Sequence, residues 1–174
     1  MTHATNLLVV VDPTDTEGHP VQEAAAHAAG TGTGLVVLSV MTYDDYRARA
    51  RAVNGIRQLN FEYTYDHAVE ASRHVALRIT DAVLADSDIP FEVIGFVGTP
   101  VEAVHTVAEE YDCDHVVVTG HRRSIWDIIR GVPDLATTIE KTFPGNVTVF
   151  FDHLRDEPLA PPTIVGPNVP HKPA

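Results

Sequence analysis

The chain is poor in cysteine and contains no long apolar run. Its single cysteine, Cys113, cannot form a disulfide within the chain, so we expect a reducing compartment, the cytoplasm. No basic segment followed by an apolar stretch opens the sequence, and no apolar run approaches the roughly 20 residues that a membrane helix needs. We therefore expect a protein that is neither secreted nor membrane-spanning.

Positive charge is also scarce. The chain has 24 acidic residues against 12 basic ones, of which only Lys141 and Lys172 are lysines, and its net charge is −12. A charge of this size repels nucleic acid and favours solubility. An acid-rich, lysine-poor composition suits high intracellular salt, where the screening length falls to about 3 Å or less. We favour a halophilic source over an acidic mesophilic one.

The pattern of apolar runs and turn residues predicts one α/β domain over residues 1–152. The chain, with 174 residues of which 44% are hydrophobic, is long enough to bury a core. Short apolar runs bounded by turn residues predict strands, at residues 6–11, 35–40, 91–97, 116–118 and 147–151. Helical spacing predicts helices at 20–30, 61–85, 100–111 and from about 134. This order predicts a doubly wound, mainly parallel five-stranded sheet with helices on both faces.

Two segments do not fit this alternation. Residues 42–60 show no apolar stripe and hold a third of the basic residues, namely Arg47, Arg49, Arg51 and Arg57. The segment is either a site for an anion or a partner, such as a phosphate, an RNA or an acidic neighbour, or a solvated flap. We favour the flap, because a spacing of two leaves the first three arginines on no single helical face. Residues 153–174 contain six prolines and are expected to form an extended or disordered tail, which is a second candidate for partner binding.

The remaining reactive side chains are not expected to have a catalytic role. His67 and His74 lie seven residues apart and share a helical face, but no third ligand is apparent, so a structural role is favoured over a metal pair. Cys113 lies between two aspartates, and acidic neighbours raise the pKa of a thiol. No Ser-His-Asp, paired-carboxylate or phosphate-loop lysine arrangement appears. We therefore expect a protein that is not an enzyme.

Two strand ends carry the candidate binding residues. Asp12, Pro13 and Thr14 directly follow the first strand, and Gly120 ends the fourth. Ligands of open α/β sheets bind outside the carboxyl ends of the strands. The alternative for the first of these turns is that Asp12 or Asp15 caps the following helix.

Four segments in this order resemble the universal stress proteins, most closely the halophilic archaeal type, over residues 6–151. The segments are VVVDPT (9–14), LVVLSV (35–40), GTPVEAV (98–104) and DCDHVVVTGHRRS (112–124). The resemblance implies a nucleotide-binding fold in which Asp12 and Val40 border adenine and ribose. It also implies a phosphate loop, G-x2-G-x9-G-[ST], after the fourth strand.

The phosphate loop departs from that pattern. Counting from Gly120 puts Arg123 at the second glycine, Pro133 at the third and Asp134 at the serine, while Gly131 lies two positions early. Proline offers no N–H group, and a carboxylate repels phosphate. The resemblance therefore implies a degenerate triphosphate site and no required cofactor.

Two arginines leave an alternative open. Arg122 and Arg123 could replace the missing amide donors with guanidinium groups, and His121 in the same loop could titrate near neutral pH. ATP or AMP would then bind. The resemblance thus implies either a stress-response binding module with a degenerate nucleotide pocket or a nucleotide-binding member of the family.

The last strand is expected to lie at an edge of the sheet. An apolar edge strand invites pairing with another chain unless it is covered. The resemblance implies a homodimer through this strand, with Val147, Val149 and Phe151 at the contact. The alternative is that the proline-rich tail covers the same edge within one chain.

Overall fold

A computed structural model describes residues 5–13, 17–120 and 134–151. Its five strands form one sheet in the order β3-β2-β1-β4-β5, and every neighbouring pair is parallel. The strands are β1 (Asn6–Val11), β2 (Leu35–Met41), β3 (Phe91–Val97), β4 (Cys113–Gly120) and β5 (Asn146–Phe151). The predicted fold class is confirmed.

Five described helices connect the strands: α1 (His19–Thr31), α2 (Tyr43–Asn54), α3 (Tyr65–Leu84), α4 (Pro100–Glu110) and α5 (Leu135–Thr142). Buried residues of α1 and α3 pack against one face of the sheet, and those of α4 and α5 pack against the other. The chain therefore winds outward from β1 in both directions, as right-handed crossovers on opposite faces require. None of the helices in the described ranges is both long and apolar enough to cross a membrane.

The central strand, β1, is uniformly apolar from Leu7 onward because both of its faces are covered. Leu7 and Val9 belong to the core beneath α1 and α3, whereas Leu8 and Val10 belong to the core beneath α4 and α5. Successive side chains of a strand point to opposite faces, so a strand covered on both sides needs an apolar residue at every position.

Glycines, and not aspartates, mark both ends of α1. Gly18 is the N-cap and Gly32 the C-cap, and both adopt the left-handed conformation with φ near 70°. Asp12 is therefore not the N-cap residue of this helix, and Asp15 lies outside the described residues. The helix predicted over residues 20–30 is confirmed, and it ends at Gly32 because the left-handed C-cap is a position that glycine occupies without steric cost.

Within the segment predicted to be a flap, residues 43–54 form α2. Thr42 caps this helix by accepting a hydrogen bond from the Asp45 backbone N–H at 3.2 Å. Three alanines among its arginines favour helix without adding an apolar face. Since α2 has no buried residue, it leaves no apolar periodicity in the sequence.

Candidate functional site

A cavity of about 210 Å³ lies at the carboxyl edge of the sheet. It is lined by Val10, Val11, Asp12, Pro13, Val40, Pro100, Thr119 and Leu135. Strands β1 and β4 are neighbours there, but the chain leaves β1 through α1 on one face and reaches β4 through α4 on the other. Open α/β sheets bind ligands at such a switch point.

The chain forms this cavity from strand ends and helix starts. Asp12 and Pro13 follow β1, and Val40 lies near the end of β2, which pairs with β1 in parallel register. Pro100 and Leu135 are the first residues of α4 and α5. In a parallel sheet the carboxyl ends of strands and the amino ends of the following helices share one edge, so these distant residues meet.

The walls are mostly apolar, with few polar groups. Asp12 and Thr119 are the polar side chains among the described lining residues. The Thr119 hydroxyl oxygen is buried and has no hydrogen-bond partner within the described part of the chain. An apolar cleft with a few polar groups is typical of small-molecule sites, although ligand pockets usually span roughly 300–1,000 Å³.

The predicted site residues fall into three groups. Asp12, Pro13 and Val40 line the cavity. Gly120 ends β4 directly after Thr119, and Asp134 directly precedes Leu135, so both adjoin lining residues. The remaining five lie outside the described residues: Thr14, His121, Arg122, Arg123 and Gly131.

Asp134 occupies the amino end of α5. Its Oδ2 accepts a hydrogen bond from the Thr137 backbone N–H at 3.2 Å and another from the Thr137 hydroxyl at 2.9 Å. The carboxylate therefore satisfies a donor that a phosphate would otherwise take, and its charge opposes an anion there.

Sequence reasoning missed five of the described lining residues, namely Val10, Val11, Pro100, Thr119 and Leu135. None of the five carries a chemical signature. Their common signal is positional, because each lies at or near the end of a strand or is a helix's first residue at the carboxyl edge.

Three other titratable side chains lie outside the lining of this cavity. Burial, Asp114 and Asp112, in that order, raise the pKa of the Cys113 thiol to about 12. His67 accepts a hydrogen bond at Nδ1 from the Thr64 backbone N–H at 3.2 Å and completes the capping box of α3. His74 lies 3.4 Å from Glu70.

Two of the predicted partner surfaces lie within the described residues, and the third, the tail at residues 153–174, lies outside them. Arg47, Arg49 and Arg51 lie on α2 and Arg57 follows it, and all four side chains are exposed. Strand β5 is an edge strand. Its Val147 and Val149 are partly buried against the core beneath α4 and α5.

Solved universal stress proteins share this architecture. UspA from Lactobacillus plantarum has a TM-score of 0.60 at 20% identity, with 86% of this chain and 99% of that chain covered. A universal stress protein in complex with cAMP gives 0.57 at 17%, with 86% and 98% covered. The Archaeoglobus fulgidus protein in complex with dAMP gives 0.53 at 13%, with 86% and 98% covered.

Comparison with curated protein sequences gives no significant match. The family model of the universal stress protein family matches residues 3–131, which is most of the chain and includes the first four strands. On this match, the chain belongs to the universal stress protein family.

Proposed function

We propose that this protein is a non-catalytic, dimeric stress-response module that binds an adenine nucleoside monophosphate, and not a triphosphate, in the carboxyl-edge cavity. The observation that carries the proposal is the meeting of Asp12 and Val40 in one largely apolar cavity at the switch point. A carboxylate there can accept hydrogen bonds from ribose hydroxyls while the apolar walls enclose the base.

Two observations favour a single phosphate. Asp134 places a carboxylate at the amino end of α5, where the family's serine would meet phosphate. Two solved structures of similar fold are complexes with cAMP and dAMP, each of which carries one phosphate group.

The lining supports a binding role without catalysis. Among the described lining residues, Asp12 is the one ionisable side chain, so a paired general acid and base are lacking within this part of the chain. A single carboxylate among apolar walls can orient a ligand by accepting hydrogen bonds from it.

Calorimetry with AMP, cAMP and ATP in molar KCl tests this function. We expect AMP or cAMP to bind more tightly than ATP. Asp12→Asn should weaken AMP binding by about 10–100-fold, because hydrogen bonds to charged groups contribute about 1.5–3 kcal/mol. Val40→Phe should abolish binding by filling the cavity. Asp81→Asn, an equal charge change at an exposed position of α3, is the control and should bind as the wild type does.

Two results would reject the proposal. Failure of all three nucleotides to bind would rule out a nucleotide site of this kind. ATP binding tighter than AMP binding, lost in Arg123→Ala, would instead support the alternative in which arginines replace the phosphate-loop glycines.

The dimer is supported by the edge position of β5. We propose an isologous contact through Val147, Val149 and Phe151. Sedimentation equilibrium should give a dimer for the wild type and a monomer for Val149→Lys, with circular dichroism to verify folding. A monomeric wild type that dimerises when residues 153–174 are deleted would show that the tail covers the edge instead.

We also propose a halophilic archaeal source and a cytoplasmic location. The net charge of −12 and the content of only two lysines support the halophilic source. Screening should relieve self-repulsion of the folded state. The thermal midpoint should therefore rise steadily between low and molar KCl. A midpoint independent of KCl would point to an acidic mesophilic protein.

A further inference from the structure

Residues 43–61, which we call the arginine arm, form a surface without a partner. The arm consists of α2 and the segment that follows it. In contrast to the other four described helices, α2 buries no residue. The segment after it leaves Ile56, Leu59 and Phe61 exposed by 47%, 50% and 48%. Large apolar side chains grouped on one exposed segment mark an interaction surface.

The arm is nevertheless held in a defined place. The Asn54 side chain accepts a hydrogen bond from the Tyr63 backbone N–H at 2.7 Å. The Tyr46 ring lies 6.2 Å from the Tyr63 ring and 6.1 Å from the Tyr65 ring, and Tyr46 packs against buried Met41 and its neighbours. A surface fixed in this way loses little conformational entropy when it binds.

The arm has the opposite charge to the rest of the chain. Residues 43–61 hold four arginines and two aspartates, a net charge of +2, and the remaining residues hold eight basic and 22 acidic side chains, a net charge of −14. Arg47 lies 3.9 Å from Asp44. Within the described residues, Arg49, Arg51 and Arg57 have no carboxylate within ion-pair distance.

A groove of about 520 Å³ at the amino edge of the sheet complements the arm. Its acidic lining consists of Glu109, Asp112 and Asp114, and its apolar lining includes Ala108 and Phe143. The groove also lies where α4 and α5 end, and helix carboxyl ends carry partial negative charge. No lysine or arginine is among its described lining residues.

The arm cannot reach this groove in its own chain. The arm follows the carboxyl end of β2, whereas the groove lies at the amino ends of β4 and β5. All strands are parallel, and strands of six to eight residues separate the two edges by about 20 Å. The contact therefore requires a second copy of the chain.

We propose that the arginine arm of one copy binds the acidic groove of a second copy. Arg51 and Arg57 pair with the acidic lining while Ile56 and Leu59 cover its apolar part. Nucleic acid would offer the negative charge, but it is repelled by the rest of this acidic chain. The contact is heterologous, so it joins copies head to tail. It is separate from the β5 contact and from nucleotide binding, and it yields assemblies larger than a dimer.

Charge reversal in the arginine arm and in the acidic groove tests this contact in the full-length chain. Sedimentation velocity at about 0.15 M KCl should show assemblies larger than a dimer for the wild type. Arg51→Glu with Arg57→Glu should weaken them about tenfold or more, because like charges then face each other. Glu109→Arg with Asp112→Arg should do the same. Combining all four substitutions should restore assembly.

The control variant changes the charge equally at another place. Arg73→Glu with Arg78→Glu, on α3, should assemble as the wild type does. Three results would overturn the proposal: a wild type that never exceeds a dimer, assembly unaffected by either reversal, or no recovery when the reversals are combined. Binding of the wild type to vesicles of anionic phospholipid without self-assembly would also overturn it, and would assign the arm to a membrane surface.

Discussion

At Gly95, in the middle of β3, the backbone of α3 lies close to the sheet, and replacement of this glycine by alanine should destabilise the protein. A Cβ atom at this position would meet Val69 O, Arg73 N and Arg73 Cα, all backbone atoms of α3, at distances that real Cβ atoms do not show. Because no flexible side chain can move aside, the helix itself must shift. Overpacking of this kind costs about 1–3 kcal/mol.

Gly30 provides the matched control for Gly95→Ala. It lies in the last turn of α1, and nothing lies within 4 Å of a Cβ built there. Gly30→Ala should therefore stabilise the protein by about 0.5–1 kcal/mol, because alanine loses less backbone entropy in a helix. Replacement of glycine by alanine should thus change the free energy of unfolding in opposite directions at these two positions.

Thermal unfolding followed by circular dichroism in one KCl concentration measures both variants. For a chain of this length, Gly95→Ala should lower the midpoint by about 2–12 °C, whereas Gly30→Ala should raise it. If Gly95→Ala were as stable as the wild type, the close approach of α3 to β3 would be refuted. A loss in Gly30→Ala as large as that in Gly95→Ala would show that glycine flexibility, and not space, sets the result.

Three further predictions concern individual side chains. Because burial and two aspartates raise its pKa to about 12, Cys113 should react with a disulfide reagent at pH 8 only after unfolding; rapid reaction of the native protein would contradict this. Asp134→Ala should cost about 0.5–2 kcal/mol by urea denaturation through loss of the cap, and Asp134→Asn much less; equal losses would show that the cap is unimportant. Burial, then His27, lower the pKa of His115, so the unfolded chain binds a proton more readily and stability should fall as the pH drops below about 6.5. His115→Gln should make urea midpoints at pH 7.5 and 5.5 more alike, and an unchanged difference would contradict this origin.

Buried strands and capped helices were predictable because their physical requirements leave a local trace. Strand β1 is covered on both faces, so each of its positions from Leu7 onward is apolar. The start of α4 leaves such a trace in Thr99, Pro100 and Glu102, and the Thr99 side chain accepts a hydrogen bond from the Glu102 backbone N–H at 3.3 Å. These features depend on neighbours within a few residues, which is the range that a sequence pattern covers.

Helix α2 shows what a sequence pattern cannot supply. Its stability comes from the Thr42 cap, from alanine propensity and from the Tyr46 contacts with later tyrosines. None of these produces an apolar stripe. An absent stripe indicates absent burial and does not exclude a helix.

The candidate site was predictable in part for a topological reason. Asp12 and Val40 were expected at the cavity because residues that follow neighbouring parallel strands share one edge, and the structure places both of them there. Pro100 and Leu135 reach the same place only through the packing of α4 and α5 on one face. That packing joins residues 35 positions apart in sequence, and no local rule connects them.

The end of β2 belongs to two surfaces at once. Val40 contributes to the cavity, and Thr42, two residues later, fixes the first turn of α2. Between them, Met41 is buried, and its carbonyl oxygen accepts a hydrogen bond from the Gly98 N–H at 2.9 Å. An insertion or deletion at this junction would therefore displace the wall of the cavity and α2 together. Homologues whose chains differ in length here should therefore differ both in the ligand that they bind and in their assembly.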